Sequence, residues 1–159
     1  MTSTLSSGTL TVKVIESIKL NGVEQGANNT KVYTGINSIS KRIITITTAE
    51  SVIATFSAAV ASAGHYVAAN VRYMRFTNKD DTNFITLTFR NQDNDEAAIK
   101  LDAGQSFIWN ADNSGGLVDV LNATEDADAA SDTALGDLTN LQADANTASC
   151  DLEMLIASV

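Results

Sequence analysis

Two strand-like segments between residues 71 and 90 decide the fold: VRYMRFTN (71–78) and NFITLTFR (83–90), separated by KDDT (79–82). In the second segment apolar and polar residues alternate, so that Ile85, Leu87 and Phe89 share one face. Such a period of two is typical of a β-strand. Short polar segments of the KDDT type form turns. The pattern therefore predicts an antiparallel hairpin with a four-residue loop.

Similar short segments flank this pair along most of the chain. They are residues 9–14, 31–34, 42–48, 52–56, 97–101, 105–110, 117–121 and 150–157. Asn21 and Gly22 predict a tight hairpin turn, because a type I′ turn needs positive φ at both central residues. About nine or ten short strands with hardly any helix favour an all-β fold. The expected architecture is an antiparallel β-sandwich, jelly-roll-like in character.

The domain organisation follows from length and composition. A chain of 159 residues suggests one domain. Residues 1–8 are polar and are predicted to form an N-terminal arm, and residues 9–159 a single β-sandwich domain. Residues 122–149 are acidic and poor in bulky apolar side chains, so they are interpreted as an insertion in that domain. Leucines at 135, 138 and 141 make a short helix possible there.

The net charge of −9 is unevenly distributed. Residues 1–100 contain all ten lysines and arginines and eight acids, whereas residues 101–159 contain eleven acids and no lysine or arginine. Two explanations stay open at this point. The regions can neutralise each other within one monomer, or the first region of one copy can meet the second region of the next.

Composition also limits the partners. An isoelectric point near 4.3 argues against direct nucleic-acid binding. The longest apolar runs are far shorter than the roughly 18 residues of a membrane span, so no membrane contact is predicted. The basic residues Lys41, Arg42, Arg72, Arg75 and Arg90 form no stripe. We expect the arginines to pair with acids.

Reactive side chains are few, because His65 is the only histidine and Cys150 the only cysteine. No nucleophile motif or phosphate-binding loop accompanies them. Cys150 is interpreted as a small buried hydrophobic residue. The sequence therefore predicts a non-enzymatic protein with no catalytic, cofactor-binding or metal-binding residues and no cofactor. Asp93, Asp95 and Glu96 are interpreted as a solvated turn, with cation binding there left open.

Three phrases carry a family resemblance: KRIITI (41–46), VRYMRFTNKDDTNFITL (71–87) and LDAGQSFIW (101–109). The block from 41 to 110 resembles small virion proteins of tailed bacteriophages. The resemblance implies a β-sandwich structural component of the particle, either a capsid decoration (cement) protein or a tail component. Decoration, which stabilises the shell through subunit contacts, is the preferred hypothesis. A tail-tube or other tail subunit is the alternative.

The implied partners are the major capsid protein or other virion proteins, together with self-association, for example as a trimer. The implied location is the virion, assembled in the host cytoplasm. A hypothesis from another class is a carbohydrate-binding β-sandwich that uses Trp109, Tyr66 or Tyr73 as a stacking platform. Exposure of these rings distinguishes this hypothesis from a structural role.

Overall fold

The computed structural model describes residues 6–122 and 135–159, and the regular secondary structure of these residues is almost entirely β-strand. The strands are β1 (Gly8–Ile15), β2 (Lys19–Leu20), β3 (Val23–Glu24), β4 (Asn28–Ile36), β5 (Ser38–Ile46), β6 (Ser51–Ser57), β7 (His65–Val67), β8 (Val71–Asn78), β9 (Ile85–Asn91), β10 (Glu96–Leu101), β11 (Ser106–Asn110), β12 (Leu138–Ala145) and β13 (Cys150–Ser158). A single 3-10 turn, Ala68–Asn70, precedes β8. The prediction of an all-β fold is confirmed.

Two sheets form the body of the molecule. One has the strand order β10-β9-β12-β6-β7 and the other β11-β8-β13-β5. The main core cluster draws buried residues from both sheets. Its largest fully buried side chains include Phe56, Phe76, Leu87, Leu141 and Met154. This arrangement is a β-sandwich, as the strand pattern predicted.

The hairpin predicted for residues 71–90 is wrong. β8 and β9 lie in different sheets, so the connection between them crosses from one sheet to the other. Met74 on β8 and Leu87 on β9 are both fully buried in the core between the sheets. The Asn78 side chain holds the crossing by donating to the carbonyl oxygens of Asn83 (2.8 Å) and Leu101 (3.1 Å). Alternation identifies the buried face of a strand. It does not reveal whether the next strand along the chain pairs with it in the same sheet or lies in the opposite sheet.

The interpretation of residues 122–149 as an insertion is wrong for its second half. Leu138–Ala145 forms β12, which lies between β9 and β6 in the five-stranded sheet. The spacing of three between Leu138 and Leu141 does not indicate a helix. A register shift in β12 between Leu138 and Asn140 places both leucines in the core. Residues 123–134 of the proposed insertion lie outside the described residues.

The expected N-terminal arm is also different in the structure. Gly8 is already the first residue of β1, and residues 1–5 of that predicted arm lie outside the described residues. β1 pairs antiparallel with β4 to form a two-stranded ribbon, and a small hairpin of β2 and β3 caps it. The hairpin turn predicted at Asn21 and Gly22 is confirmed, since both residues have positive φ (50° and 82°).

The central position of β12 gives a stability prediction. Replacing the fully buried Leu141 by alanine should lower the free energy of unfolding by about 2–5 kcal/mol, because a cavity is left in the core. Urea unfolding followed by circular dichroism measures this change. Leu20→Ala, at an exposed leucine on the β2–β3 hairpin, is the control and should change stability by no more than about 0.5 kcal/mol. Equal effects would show that β12 is not part of the folded core.

Candidate assembly surface

The ribbon is anchored to the body through a second core cluster. Leu10 and Val12 of β1 and Tyr33 and Ile36 of β4, together called the arm base, pack on the four-stranded sheet. Their contacts on that sheet are with Tyr73, Leu155, Ala157 and Val159. The Tyr33 hydroxyl donates to Oδ1 of Asn110 at 3.1 Å. Burial raises the pKa of Tyr33 above its ordinary value.

The ribbon crosses the outer face of the four-stranded sheet. β4 leads into β5 through Asn37, and β5 is one edge of that sheet. Tyr33, only three residues before Ile36, bonds to Asn110 on β11, which is the opposite edge. The residues that precede Tyr33 in β4, with β1 from Lys13 onward, therefore extend beyond the sheet.

This extension, residues 13–32, is called the arm. All of its residues are exposed except Gly26, which is half-buried. The arm closes on itself through Glu24, whose carboxylate accepts hydrogen bonds from the backbone N–H groups of Ile18 (3.1 Å) and Gly26 (3.0 Å). Glycine is required at position 26 because a Cβ atom there would lie 2.0 Å from the carbonyl oxygen of Glu16. The local sequence thus specifies the arm as a folded hairpin.

The arm carries an exposed apolar surface. Six large hydrophobic side chains are between 39% and 68% exposed, namely Val14, Ile15, Ile18, Leu20, Val23 and Val32. Single exposed hydrophobic residues are normal, but a concentration of them marks an interaction site. A two-stranded hairpin is also only marginally stable by itself in water. Contact with another molecule would bury this surface and stabilise the arm.

The charge of the arm contrasts with that of the rest of the chain. The arm contains three lysines and two glutamates, a net charge of +1, and the remaining residues together carry −10. Within residues 6–122 and 135–159, none of the arm lysines forms a salt bridge. Lys31 lies over the ring of Tyr33, with 5.6 Å between Nζ and the ring centroid. The arm is therefore suited electrostatically to an acidic surface.

A second apolar surface lies on β5 and is called the β5 patch. It consists of Ile39 and Ile43, both about 60% exposed on the outer face. Among the described residues, β13 is the only strand paired with β5, so the other edge of β5 is open. An open edge strand with exposed apolar side chains can accept a strand from another chain.

A charged network fixes the sheet beside the β5 patch. The Glu153 carboxylate on β13 accepts a hydrogen bond from Arg75 on β8. Its second oxygen lies 3.6 Å from Nζ of Lys41 on β5. The hydrogen bond from Arg75 lowers the pKa of Glu153, and the positive charges of Arg75 and Lys41 contribute. This network neutralises Glu153, one acid of region 101–159, with basic residues of region 1–100. For this acid, the charges are therefore neutralised within one monomer.

The expectation that arginines pair with acids is confirmed for two of the four and wrong for the others. Arg75 pairs with Glu153 and Arg90 with Glu96. Arg42 and Arg72 form no salt bridge within the described parts of the chain. Arg42 donates from Nη2 to the carbonyl oxygen of Ile53 at 2.9 Å, and its buried Nε has no acceptor there. Strand alternation gave no signal of these unpaired arginines.

The three aromatic rings proposed as a stacking platform for carbohydrate pack against other side chains of the protein. Trp109 is half-buried and packs against Phe89 with tilted rings, 5.3 Å apart between centroids. Tyr66 packs on Phe56 and donates its hydroxyl to Ser40 at 3.0 Å. Tyr73 is buried beneath the arm base. Tyr73 therefore offers no free ring face for a sugar, whereas the half-buried Tyr66 lines an open cavity of about 240 Å³ together with His65.

The two reactive side chains are far less exposed than the arm. Cys150 is buried, as predicted, and its thiol donates to the carbonyl oxygen of Ala148 at 3.4 Å. Burial, together with the negative charge of Asp80, raises the pKa of this thiol. His65 begins β7 and lines a polar cavity of about 370 Å³ together with Arg42.

Several polar groups of the acidic segment 93–96 form hydrogen bonds or a salt bridge with neighbouring residues of the same segment and of β9. The Oδ1 atom of Asn91 accepts from the backbone N–H groups of Asp93 and Asp95, both at 2.9 Å. Asn91 also donates to the Asp95 carboxylate at 3.2 Å, and Glu96 pairs with Arg90. In the part of the chain that the structure describes, no three His, Cys, Asp or Glu side chains are placed to hold a metal ion. The interpretation as a turn is confirmed for Asp93 and Asp95, which lie between β9 and β10, and is wrong for Glu96, which is the first residue of β10.

Comparisons of the chain with protein families, with curated proteins and with solved structures find no match. Among residues 6–122 and 135–159, no helix has the length and apolar character needed to cross a membrane.

The Glu153 network predicts a pH dependence of stability. A carboxyl whose pKa is lowered by folding stabilises the protein above its unfolded pKa, and this contribution is lost as the pH falls through the folded value. Glu153→Gln should therefore be less stable than the parent protein at pH 7, with a difference that shrinks towards pH 3. Urea midpoints at both pH values measure it.

The control for this measurement is Glu50→Gln, at an exposed glutamate that forms no salt bridge with the described residues. Its urea midpoint should follow that of the parent protein at both pH values. A constant difference between E153Q and the parent from pH 7 to pH 3 would contradict an ionic role for Glu153.

Proposed function

We propose that this protein is a non-enzymatic structural component of a phage virion, and that it decorates the capsid and stabilises the shell. The virion assignment rests on the resemblance of residues 41–110 to virion proteins of tailed bacteriophages. The assembly role rests on one observation, the arm with its six exposed apolar side chains. The proposed partners are the major capsid protein and further copies of this chain, in a trimer for example. The proposed location is the virion, after assembly in the host cytoplasm.

The energetics of the arm support a docking role. Complete burial of a Val, Leu or Ile side chain contributes about 1.5–3 kcal/mol. Burying the remaining exposed area of several arm side chains together therefore supplies several kcal/mol towards binding. Part of this gain is offset by the ordering of the partners. The hairpin structure of the arm reduces that offset, since Glu24 and the Asn21–Gly22 turn already fix its backbone.

A tail subunit is the second candidate, and the open edge of β5 favours it. Nine residues, Ser38–Ile46, make up this edge strand. Rings of β-sandwich subunits can close by addition of a strand from one subunit to the edge of the next. The two candidates place the protein differently in the particle. The protein can be produced with an affinity tag, and the tag labelled in intact virions. Electron microscopy of the labelled particles then shows whether the protein lies on the shell or on the tail.

The decoration hypothesis predicts binding to preformed shells. Purified protein added to capsids that lack it should co-sediment with them and raise the temperature at which they release their DNA. Nucleic-acid dye fluorescence during heating measures this temperature. Shells that bind no protein, or that bind it with an unchanged release temperature, would contradict a stabilising role on the capsid.

Attachment should depend on the apolar surface of the arm. The double substitution Ile15→Lys and Leu20→Lys should weaken co-sedimentation with capsids by about tenfold or more, because hydrophobic contacts are replaced by charges that need solvent. Thermal unfolding of the free protein should be almost unchanged, as both side chains are exposed.

A matched control is the double substitution Val52→Lys and Val60→Lys, which introduces the same two charges at residues that are 56% and 63% exposed and lie outside the arm. This variant should bind like the parent protein. Equal loss in the control and the arm variant would show that added positive charge, rather than the arm, weakens binding.

A further inference from the structure

A buried arginine without an acid lies at the point where the arm leaves the body. Arg72 on β8 is only 9% exposed. Its Nη1 atom donates to the carbonyl oxygens of Ala69 (2.7 Å) and Val71 (3.1 Å). No carboxylate of residues 6–122 or 135–159 forms a salt bridge with it. Its Nε and Nη2 groups are not among the buried atoms that lack a partner, so they are accessible from solvent. A guanidinium with accessible donors and no carboxylate beside it favours an anion.

The acid on the neighbouring loop is directed elsewhere. The Asp112 carboxylate accepts hydrogen bonds from the Ser114 hydroxyl at 2.7 Å and from the backbone N–H of Gly115 at 3.1 Å. These hydrogen bonds lower the pKa of Asp112 below its ordinary value. Asp112 thus stabilises its own loop and does not form a salt bridge with Arg72.

Arg72 lines a small polar cavity between the arm base and the body. The cavity has a volume of about 150 Å³, and its lining residues are Val32, Tyr33, Thr34, Arg72 and Asn113. The first three belong to β4, whereas Arg72 and Asn113 belong to the body. The Nε and Nη2 groups of Arg72 have no acceptor among the described residues. Thr34 and Asn113, both polar, belong to the same lining.

The dimensions and donors define the chemistry of the ligand. A guanidinium presents a planar set of N–H groups that matches the two oxygens of a carboxylate or phosphate. The cavity is several times the roughly 30 Å³ that a water molecule occupies in the liquid. It is therefore large enough for a group of carboxylate or phosphate size.

We propose that the cavity at the arm base is an oxyanion-binding site in which Arg72 is the principal ligand. The oxyanion comes either from free phosphate or from a carboxylate side chain of a second copy of this chain. Because the walls belong to β4 and to the body, a bound oxyanion connects the arm base to the body. The site is independent of the proposed role in a virion.

The test uses the isolated protein with sodium phosphate as the probe, at constant ionic strength. Backbone amide signals of Val32, Thr34 and Asn113 in NMR spectra should shift saturably with phosphate. The thermal midpoint should rise over the same concentrations, because binding stabilises the folded state. Arg72→Gln should weaken phosphate binding by about tenfold or more, since hydrogen bonds to a charged group are lost.

Arg90→Gln is the matched control, because it removes the same charge from an arginine that already pairs with Glu96. This variant should bind phosphate like the parent protein. If Arg72→Gln fails to fold, Arg72→Lys is measured instead. Lysine keeps the charge but lacks the planar guanidinium, so phosphate binding should again be weakened.

Sedimentation distinguishes the two sources of the oxyanion. If the carboxylate of a second copy occupies the cavity, phosphate should dissociate oligomers of the parent protein, and oligomers of R72Q should be weaker without phosphate. If the source is free phosphate, the oligomeric state should not change with phosphate. Absence of a saturable NMR shift in the parent protein, or an equal shift in R72Q, would overturn the proposal.

Discussion

The sandwich depends on the pairing made by its last two strands. β12 lies between β9 and β6 in one sheet, and β13 lies between β8 and β5 in the other. Each sheet would be divided without the strand that the C-terminal region supplies. The acidic region 101–159 is therefore part of the structural centre. Its charges are tolerated where basic residues of region 1–100 meet them, as Arg75 and Lys41 meet Glu153.

Strand content was predictable because alternation follows directly from burial of one face. Pairing was not predictable, because β8 and β9 have the same alternation whether they are neighbours in one sheet or opposite each other across the core. The Asn78 side chain stabilises the crossing between the sheets by donating hydrogen bonds to the carbonyl oxygens of Asn83 and Leu101. The alternation of apolar and polar residues contains no information about these hydrogen bonds. β12 was missed because its register shift replaces a period of two by a spacing of three.

The arm was only partly predictable for a different reason. The turn at Asn21 and Gly22 is local and was identified, whereas exposure depends on where the ribbon crosses the sheet. Val12 and Ile15 lie on the same strand, yet Val12 packs on the body and Ile15 is 68% exposed. The difference arises because Tyr33, opposite Leu10 in the ribbon, reaches the far edge of the sheet at Asn110. Beyond this contact no surface formed by residues 6–122 and 135–159 covers the arm.

The position of Arg72 connects these features. The arm has only a short base, formed by two residues from each strand, and its direction is fixed mainly by the Tyr33 contacts. Arg72 and Asn113 lie on the body beside the same part of β4. An oxyanion in this cavity would add contacts between β4 and the body at the base of the projecting arm. A neutral side chain at position 72 would satisfy the local carbonyls equally well only if it supplied two donors. Arg72 thus uses Nη1 for the local carbonyl oxygens, and its positive charge, which no carboxylate of the described residues pairs, is left for the anion proposed above.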